Sequence, residues 1–488
     1  RYVAHDGDEC VVLFGLRNGS IGRDDFGPVV RATIELAAGD RLVLVSRHGE
    51  DGDAVDRTDS RRSLERTIAA WREWSDTCRD ADRAHFGGRW HDQVCRSALA
   101  LKLLTLPDTG AIAAAATTSL PEEIGGVRNW DYRFCWIRDA AFTAQALVSL
   151  GHRAEALDYL GFMSQVCGDQ LASGHGPQIL YGLHGETDVK ERVLEHLEGY
   201  RGSRPVRIGN AAAEQMQHDV YGELLGAAYE LARIGGEIPA DVWSFLSDVT
   251  DRAAVAWRYP DAGIWEVRTA PRHHVYSKVM VWVALDRAIR MTERYGMPGN
   301  ADEWRDARRR VREAVLEEGY DREAGAFVQS FGAKHLDAAN LLIPIVGFLP
   351  FDDPRVQSTI DRTLEQLTHN GLVYRYLTDD GLPGTEGAFL LTTFWLVDAL
   401  ALSGRMDEAS DIFEATAKRA NTLGLYAEEY DPRSGAFLGN FPQGFSHIGF
   451  INSALYLARV AGRKGTEPAP MGSREHREET GHDPGAAA

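Results

Sequence analysis

The sequence predicts a mainly α protein, a toroid of six inner and six outer helices that follows the remnant of a β-sandwich. Three observations carry that expectation. Residues 86–462 are helical in period almost throughout. The helices alternate between a kind that is apolar nearly all round and a kind with one charged face, which marks a helix open to solvent on one side. The first 50 residues alternate apolar and polar side chains with the period of a half-buried strand.

Along the chain, Cys10–Leu16 reads as a strand, and Val30, Ala32, Ile34 and Leu36 alternate with Arg31, Thr33 and Glu35 as a second. Ala38-Gly39-Asp40 supplies a turn, and Leu42–Val45 begins a third strand. So few strands cannot bury both faces alone. Residues 1–50 are therefore expected to be the C-terminal part of a larger sandwich, whose earlier portion is missing because the chain opens mid-pattern at Arg1. Residues 51–85 form a linker with a charged connecting helix, SRRSLERTIAAWREWSDTC.

Apolar helices follow at AFTAQALVSL after Asp139, VYGELLGAAYELA from 220, SKVMVWVALDRAI from 277, GAFLLTTFWLVDALAL from 387 and HIGFINSALYLARV from 447. Between them, 303–318 carries Trp304, Ala307, Val311 and Val315 on one stripe, and 405–420 turns Met406, Ala409 and Phe413 inward. Buried and exposed helices in pairs suit a closed relative of the helix-pair solenoids. The tail, 463–488, is rich in Gly, Pro and charge and is expected to be disordered.

Composition narrows the function. A chain of 488 residues with 44% hydrophobic and 26% charged residues is globular, and its net charge of −19 disfavours nucleic acid or an anionic membrane as partner. No apolar run approaches the ~20 residues of a membrane span. Five cysteines, odd in number and without C-x-x-C spacing, favour free thiols and a cytoplasmic location. No zinc spacing or Gly-rich phosphate loop is present, so neither metal nor cofactor is expected. Nothing in the sequence fixes an oligomeric state.

The chemistry concentrates in PEEIGGVRNWDYRFCWIRD, 121–139, with Arg128, Arg133 and Arg138, the rings of Trp130, Tyr132 and Trp136, and Asp131 and Asp139. Guanidinium forks and carboxylates bond vicinal hydroxyls, while indole faces cover the C–H patches of a sugar. Other loaded segments, QMQHDVYGE at 215–223, GIWEVRTAPRHHVYSK, GTEGAF at 384–389 and LYAEEYDPRSGAFLGNFPQGFSH, also precede apolar helices. If those helices run the same way, all five segments share one mouth of the ring. Two carboxylates stand out there. Glu266 follows Trp265, whose indole can shield it and keep a proton available; a salt bridge to Arg268 or Arg272 is the structural alternative. Glu428 and Glu429 sit together between Tyr426 and Tyr430. Two carboxyls across a glycosidic bond are the minimum apparatus for acid/base hydrolysis.

Taken together, RNWDYRFCWIRDA, QMQHDVYGE, GIWEVR, LPGTEGAFLLTTFWLVDAL and LYAEEYDPRSGAFLGNFPQGFSHIGFINSAL closely resemble glycoside hydrolase family 15, which holds glucoamylases, glucodextranases and bacterial or archaeal trehalases. The resemblance implies an (α/α)6 barrel and an inverting hydrolase that releases glucose from a non-reducing end of a small α-glucoside or oligosaccharide. Glu266 matches the general acid and Glu428 the general base. Trp136, Arg138 and Asp139 match the segment that grips the innermost glucose, and Trp265 an aromatic beside the acid. Trp130, Asp219, Glu386 and Glu429 are expected at the mouth as sugar-binding residues, with Glu223 beside them. His218, His273 and His274 are expected behind the site and His447 as a helix-opening orienter. Trehalose or short α-glucosides are the expected substrates, ahead of dextran or starch. The rival of another class is a catalytically silent sugar-binding protein.

Overall fold

A helix that is apolar on all sides is stable only inside a shell of other helices, and that condition organises most of this chain. The computed structural model describes residues 2–6, 9–24, 27–50, 60–80, 88–172 and 176–460. The chain divides into two units, 1–76 and 77–488. The expected disordered tail and the linker on either side of its helix, 51–59 and 81–85, lie outside the described residues.

In the first unit, β1 (Tyr2–Asp6), β2 (Glu9–Phe14) and β5 (Val45–Glu50) form an antiparallel sheet in the order β1-β2-β5, and β3 (Ser20–Asp24) pairs with β4 (Gly27–Arg31) in a separate hairpin. Two strand expectations need correction. The strand read across 30–36 stops at Arg31, and the one read from Leu42 begins at Val45. A strand persists only where a ladder partner satisfies its backbone, and β3 runs out opposite Arg31. Ile34, Leu36, Leu42, Val43 and Leu44 are exposed, so the alternating pattern has nothing to pack against among the described residues. The turn between them does form: Asp40 N–H donates to Ala37 O at 3.0 Å and Asp40 Oδ2 accepts from Ala37 N–H at 2.9 Å. The connecting helix is α1 (Ser60–Asp80).

The second unit opens with α2 (His91–Leu104). The helices then come in inner–outer pairs: α3 (Ile137–Ser149) and α4 (Arg153–Ala172), α5 (Asp219–Arg233) and α6 (Ala240–Ala256), α7 (Val275–Tyr295) and α8 (Ala301–Glu318). A 3-10 turn at Ala338–Leu341 runs into the short α9 (Leu342–Ile345), paired with α10 (Pro354–Gln366); α11 (Leu390–Leu402) pairs with α12 (Met406–Ala417), and α13 (Gly444–Val460) closes the set. Helices α3, α5 and α7 pack in succession, α7 meets the 3-10 turn that leads into α9, α9 packs on α11 and α11 on α13, and α13 returns to α3, so six inner positions form a closed ring inside the even-numbered helices. This is the expected (α/α)6 architecture, with α2 as the sixth outer helix.

Burial follows the sequence pattern. On α8 the buried side chains are Trp304, Ala307, Val311 and Val315, the stripe read from spacing. On α12 Ala409 and Phe413 are buried while Met406, in the first turn, is half-buried. Helix α7 stops where Gly296 takes a left-handed φ of +68°, its N–H bonding back to Met291 and Thr292 carbonyls, a conformation that side chains with a Cβ resist. The sixth inner position carried no sequence signal, because α9 is one turn long and contains Pro344. Among the described residues no helix is long and apolar enough to cross a membrane. Cys10, Cys95, Cys135 and Cys167 are buried, and none of them forms a disulfide.

Asp398 lies on α11, 2% exposed, and accepts a hydrogen bond from Ser453 on α13. Burial holds its carboxyl well above the ordinary carboxylate range, with the serine bond opposing only weakly. The folded chain thus keeps a proton that the unfolded chain releases near pH 4, and this contribution to stability falls as pH rises from there. Asp398→Asn is expected to fold and to flatten that slope. Urea unfolding at pH 5 and pH 7 checks it; the same loss of stability with pH in parent and variant would refute the assignment.

Candidate active site

The segments entering α3, α7, α11 and α13 all supply side chains to one pocket, whereas the segment entering α5 does not. Trp130, Trp136, Arg138, Asp139, Trp265, Glu266 and Glu428 all line it. They come from three separate stretches: the approach to α3, the loop between α6 and α7, and the loop between α12 and α13.

Arg138 and Asp139 occupy the first turn of α3, where buried charge is tolerable only if paired. The Arg138 guanidinium binds Asp139 Oδ2 at 3.0 Å, donates to the Ile264 carbonyl and reaches Glu266 Oε1 at 3.5 Å. It also lies over the Phe445 ring at 5.1 Å. Burial raises the Asp139 carboxyl to about 6 against the opposing pull of Arg138. Trp136 Nε1 donates to Glu266 Oε1 at 2.8 Å, and its ring meets Tyr132 edge-on at 5.2 Å.

Trp265 and Glu266 both line the pocket, and the salt bridge to Arg268 or Arg272, the structural alternative for Glu266, gives way to one with Arg138. The indole that hydrogen-bonds Glu266 is Trp136, whereas Trp265 turns its Nε1 to Asp337 at 2.8 Å. Arg268 lies over the Trp130 ring, and Arg272 pairs through its backbone with Asp261. Glu266 itself has φ +59°, a left-handed conformation reached through a turn in which its N–H bonds the Gly263 carbonyl at 3.3 Å.

Glu428 stands at a bend just before the two-residue strand Glu429–Tyr430, and the two side chains take opposite sides of the wall. Glu428 faces the pocket, 1% exposed, with Oε2 accepting from Asn440 N–H at 3.0 Å and the Tyr132 hydroxyl beside it. Burial, then the charge of Glu122, pushes its carboxyl well above the usual range. Glu429 faces away, its Oε2 accepting from Gly387 N–H at 2.8 Å.

Three expected sugar-binding residues therefore do not line the pocket. Glu429 stands behind the wall. Glu386 is held by Arg375 and by Arg128 Nη1 at 3.3 Å, facing a neighbouring side cavity. Asp219 opens α5, fully buried with neither carboxylate oxygen hydrogen-bonded; burial raises it to about 7, opposed by Arg138. Glu223, one turn on, accepts from the Tyr276 hydroxyl at 2.9 Å. His218 and His274 are buried away from the pocket, and His447 accepts from Tyr426 N–H at 3.3 Å, orienting the backbone that leads to Glu428.

Sequence reasoning missed part of the wall. Glu122, Arg375, Tyr376, Asp380 and Gln443 all line the pocket. Arg128 holds Asp380 in a bidentate pair at 2.7 and 3.0 Å. Glu122, Glu386 and Glu429 bring one oxygen each within 4.8 Å of the others. The cation among them is Arg375, bonded to Glu386 and standing 4.0 Å from Glu122 and 3.9 Å from Glu429, so the trio is an arginine clamp and not a metal cage.

The comparisons agree with this geometry. The chain is 43% identical over 395 residues to a trehalase of Thermoplasma volcanium, covering 81% of this chain and 62% of the relative. It is 41% identical over 448 residues to a trehalase of Mycobacterium tuberculosis, covering 91% and 64%. The chain thus spans under two thirds of the length of either. Among solved structures, a bacterial glucoamylase complexed with acarbose has the same fold, with TM-score 0.73 and 16% identity over 94% of this chain and 73% of that one. A family model described as glycosyl hydrolases family 15 matches residues 88–455. The chain belongs to glycosyl hydrolase family 15.

Proposed function

We propose that the chain is an inverting, exo-acting α-glucoside hydrolase that releases glucose from a non-reducing end, with trehalose as its first substrate. The observation that carries the reading is a closed-ended pocket with two carboxylates, Glu266 and Glu428, on separate wall segments beside the Arg138–Asp139 clamp. The trehalases it resembles support the choice of substrate.

Glu266 donates its proton to the glycosidic oxygen as the C1–O bond breaks. Glu428 takes a proton from a water whose oxygen bonds C1 on the opposite face. Arg138 and Asp139 hold hydroxyls of the departing glucose, while Trp136 and Trp265 bound the ring. Trp130 extends the wall toward the mouth, and Asp219 supports Arg138 from behind. Glu386 and Glu429 fix Arg375, and with it the Glu428 wall. A silent sugar-binding protein would need neither carboxylate, which disfavours that alternative.

Glu266→Gln and Glu428→Gln should each lower kcat by at least ~10²-fold, the low end of acid/base catalysis, with an unchanged melting temperature. Full activity in Glu428→Gln would remove it from the mechanism. Arg138→Lys should lose ~2–4 kcal/mol in kcat/KM, since an ammonium cannot replace the guanidinium fork. A loss under ~0.5 kcal/mol, less than a typical single hydrogen bond, would place Arg138 outside the glucose subsite. Early-time proton NMR tests stereochemistry and substrate together. Inversion must give one α- and one β-glucose from each trehalose and β-glucose first from maltose, isomaltose or starch. Initial release of α-glucose alone would refute inversion.

A further inference from the structure

An inverting site has a problem that its front entrance does not solve. With glucose filling a closed-ended pocket, the proton taken from water by Glu428 needs another way out before the next turnover. Glu122 stands where such a route would run. It lines the active pocket together with Glu428, and it also lines a second cavity, shared with Glu386, Thr385 and Tyr374. Arg128, Tyr376 and Asp380 are common to both cavities, so this wall separates the pocket from the side cavity. Glu122 is 2% exposed and its Oε2 has no hydrogen-bond partner; Arg128 and Arg375 each stay 4.0 Å away, beyond hydrogen-bonding range.

We propose that Glu122 is the proton-exchange partner of Glu428, carrying a proton while Glu428 activates water and releasing it through the side cavity. The inference rests on Glu428 being the base. Catalysis needs the shared proton on Glu122, which leaves Glu428 a carboxylate. Deprotonating water loads Glu428. Glu122 then gives its proton to water in the side cavity and accepts the one on Glu428, which restores the starting state. Glu266 regains its proton from solvent, so no net proton is produced and no other reactant is needed.

The charges facing the pair are consistent with this sharing. Arg128, Arg375, Glu386, Glu429 and the Trp130 indole surround Glu122; Arg375, Tyr132, Glu429 and the Asn440 N–H surround Glu428. The guanidinia are themselves bonded to Asp380 and Glu386, leaving more buried carboxylates than cations. Burial holds both carboxyls above their ordinary range, with Glu386 repelling Glu122 and Glu122 repelling Glu428.

The test is the pH profile of trehalose hydrolysis. Glu122→Gln reproduces the neutral form of Glu122 but cannot pass a proton on, so the acid limb of kcat/KM should stay near the parent's. Because the reset follows bond cleavage, kcat should fall more than kcat/KM. Glu122→Asp, which still titrates, should recover part of kcat. In Glu122→Gln, kcat and kcat/KM reduced alike would overturn the proposal and leave a structural role. If Glu122→Gln does not fold, carboxyl-stretch infrared titration of Glu428→Gln replaces it. A buried carboxyl should then ionise about a unit lower than in the parent, and an unchanged titration would overturn the proposal. An active Glu428→Gln would sink the assignment of the base, which is a distinct failure.

Discussion

The wall that carries Glu428 depends on one buried guanidinium. Arg375 binds Glu386, approaches Glu429 and Glu122, and lies over the rings of Trp265 at 5.4 Å and Phe389 at 5.1 Å. These partners belong to four stretches far apart in sequence, and none would sit buried beside the others without a central positive charge. A lysine could supply the charge but not a planar group that stacks on two rings while bonding a carboxylate in their plane. The cost of burying so many acids is met partly by this cation, and burial holds the carboxyls of Glu122, Glu428 and Glu429 above their ordinary range.

The same principle separates the two halves of the pocket. On the Glu266 side, Arg138 is matched by Asp139 and Glu266 within one small network, and Glu266 keeps an exposed edge, with 15% of its side chain accessible. On the Glu428 side the carboxylates are more numerous and more deeply buried. The two carboxyls therefore sit in environments of different wetness.

How much of this could be read in the sequence follows from where the signals lie. Trp136, Arg138 and Asp139 were legible because they enter a long apolar helix and are contiguous with it. Glu428 was legible as a member of an EE pair, but only the folded chain, with its bend at Glu428, decides which member enters the pocket. Arg375, Tyr376 and Asp380 were not legible: they follow the two-residue strand Leu372–Val373 and precede no helix, so the pattern that located the other segments passed over them. Glu122 was hidden in plain view, beside the exposed Glu123 and inside a cluster whose arginines and rings drew the attention. The toroid itself was legible because five of its six inner helices are long; the sixth is a single turn. The strand at 30–36 failed for the opposite reason, a clear pattern without a partner to pair with.

The left-handed backbone at Glu266 joins these threads. A non-glycine residue at φ +59° costs roughly 1–2 kcal/mol relative to ordinary backbone, and a turn designed for stability alone would place glycine there. Glycine would carry no carboxyl. The neighbours that hold the residue in this conformation are the ones its chemistry needs: Trp136 and Arg138 fix Oε1, and the Gly263 carbonyl closes the turn. Gly263 takes the sharpest part of the bend, with φ +71° and no room for a Cβ against the His274 ring. The strain at Glu266 is therefore held by contacts that stay in place when the carboxylate becomes an amide. That is why a glutamine at 266 isolates the proton from the geometry, and why the geometry, not the local sequence around Trp265, sets what this carboxyl can do.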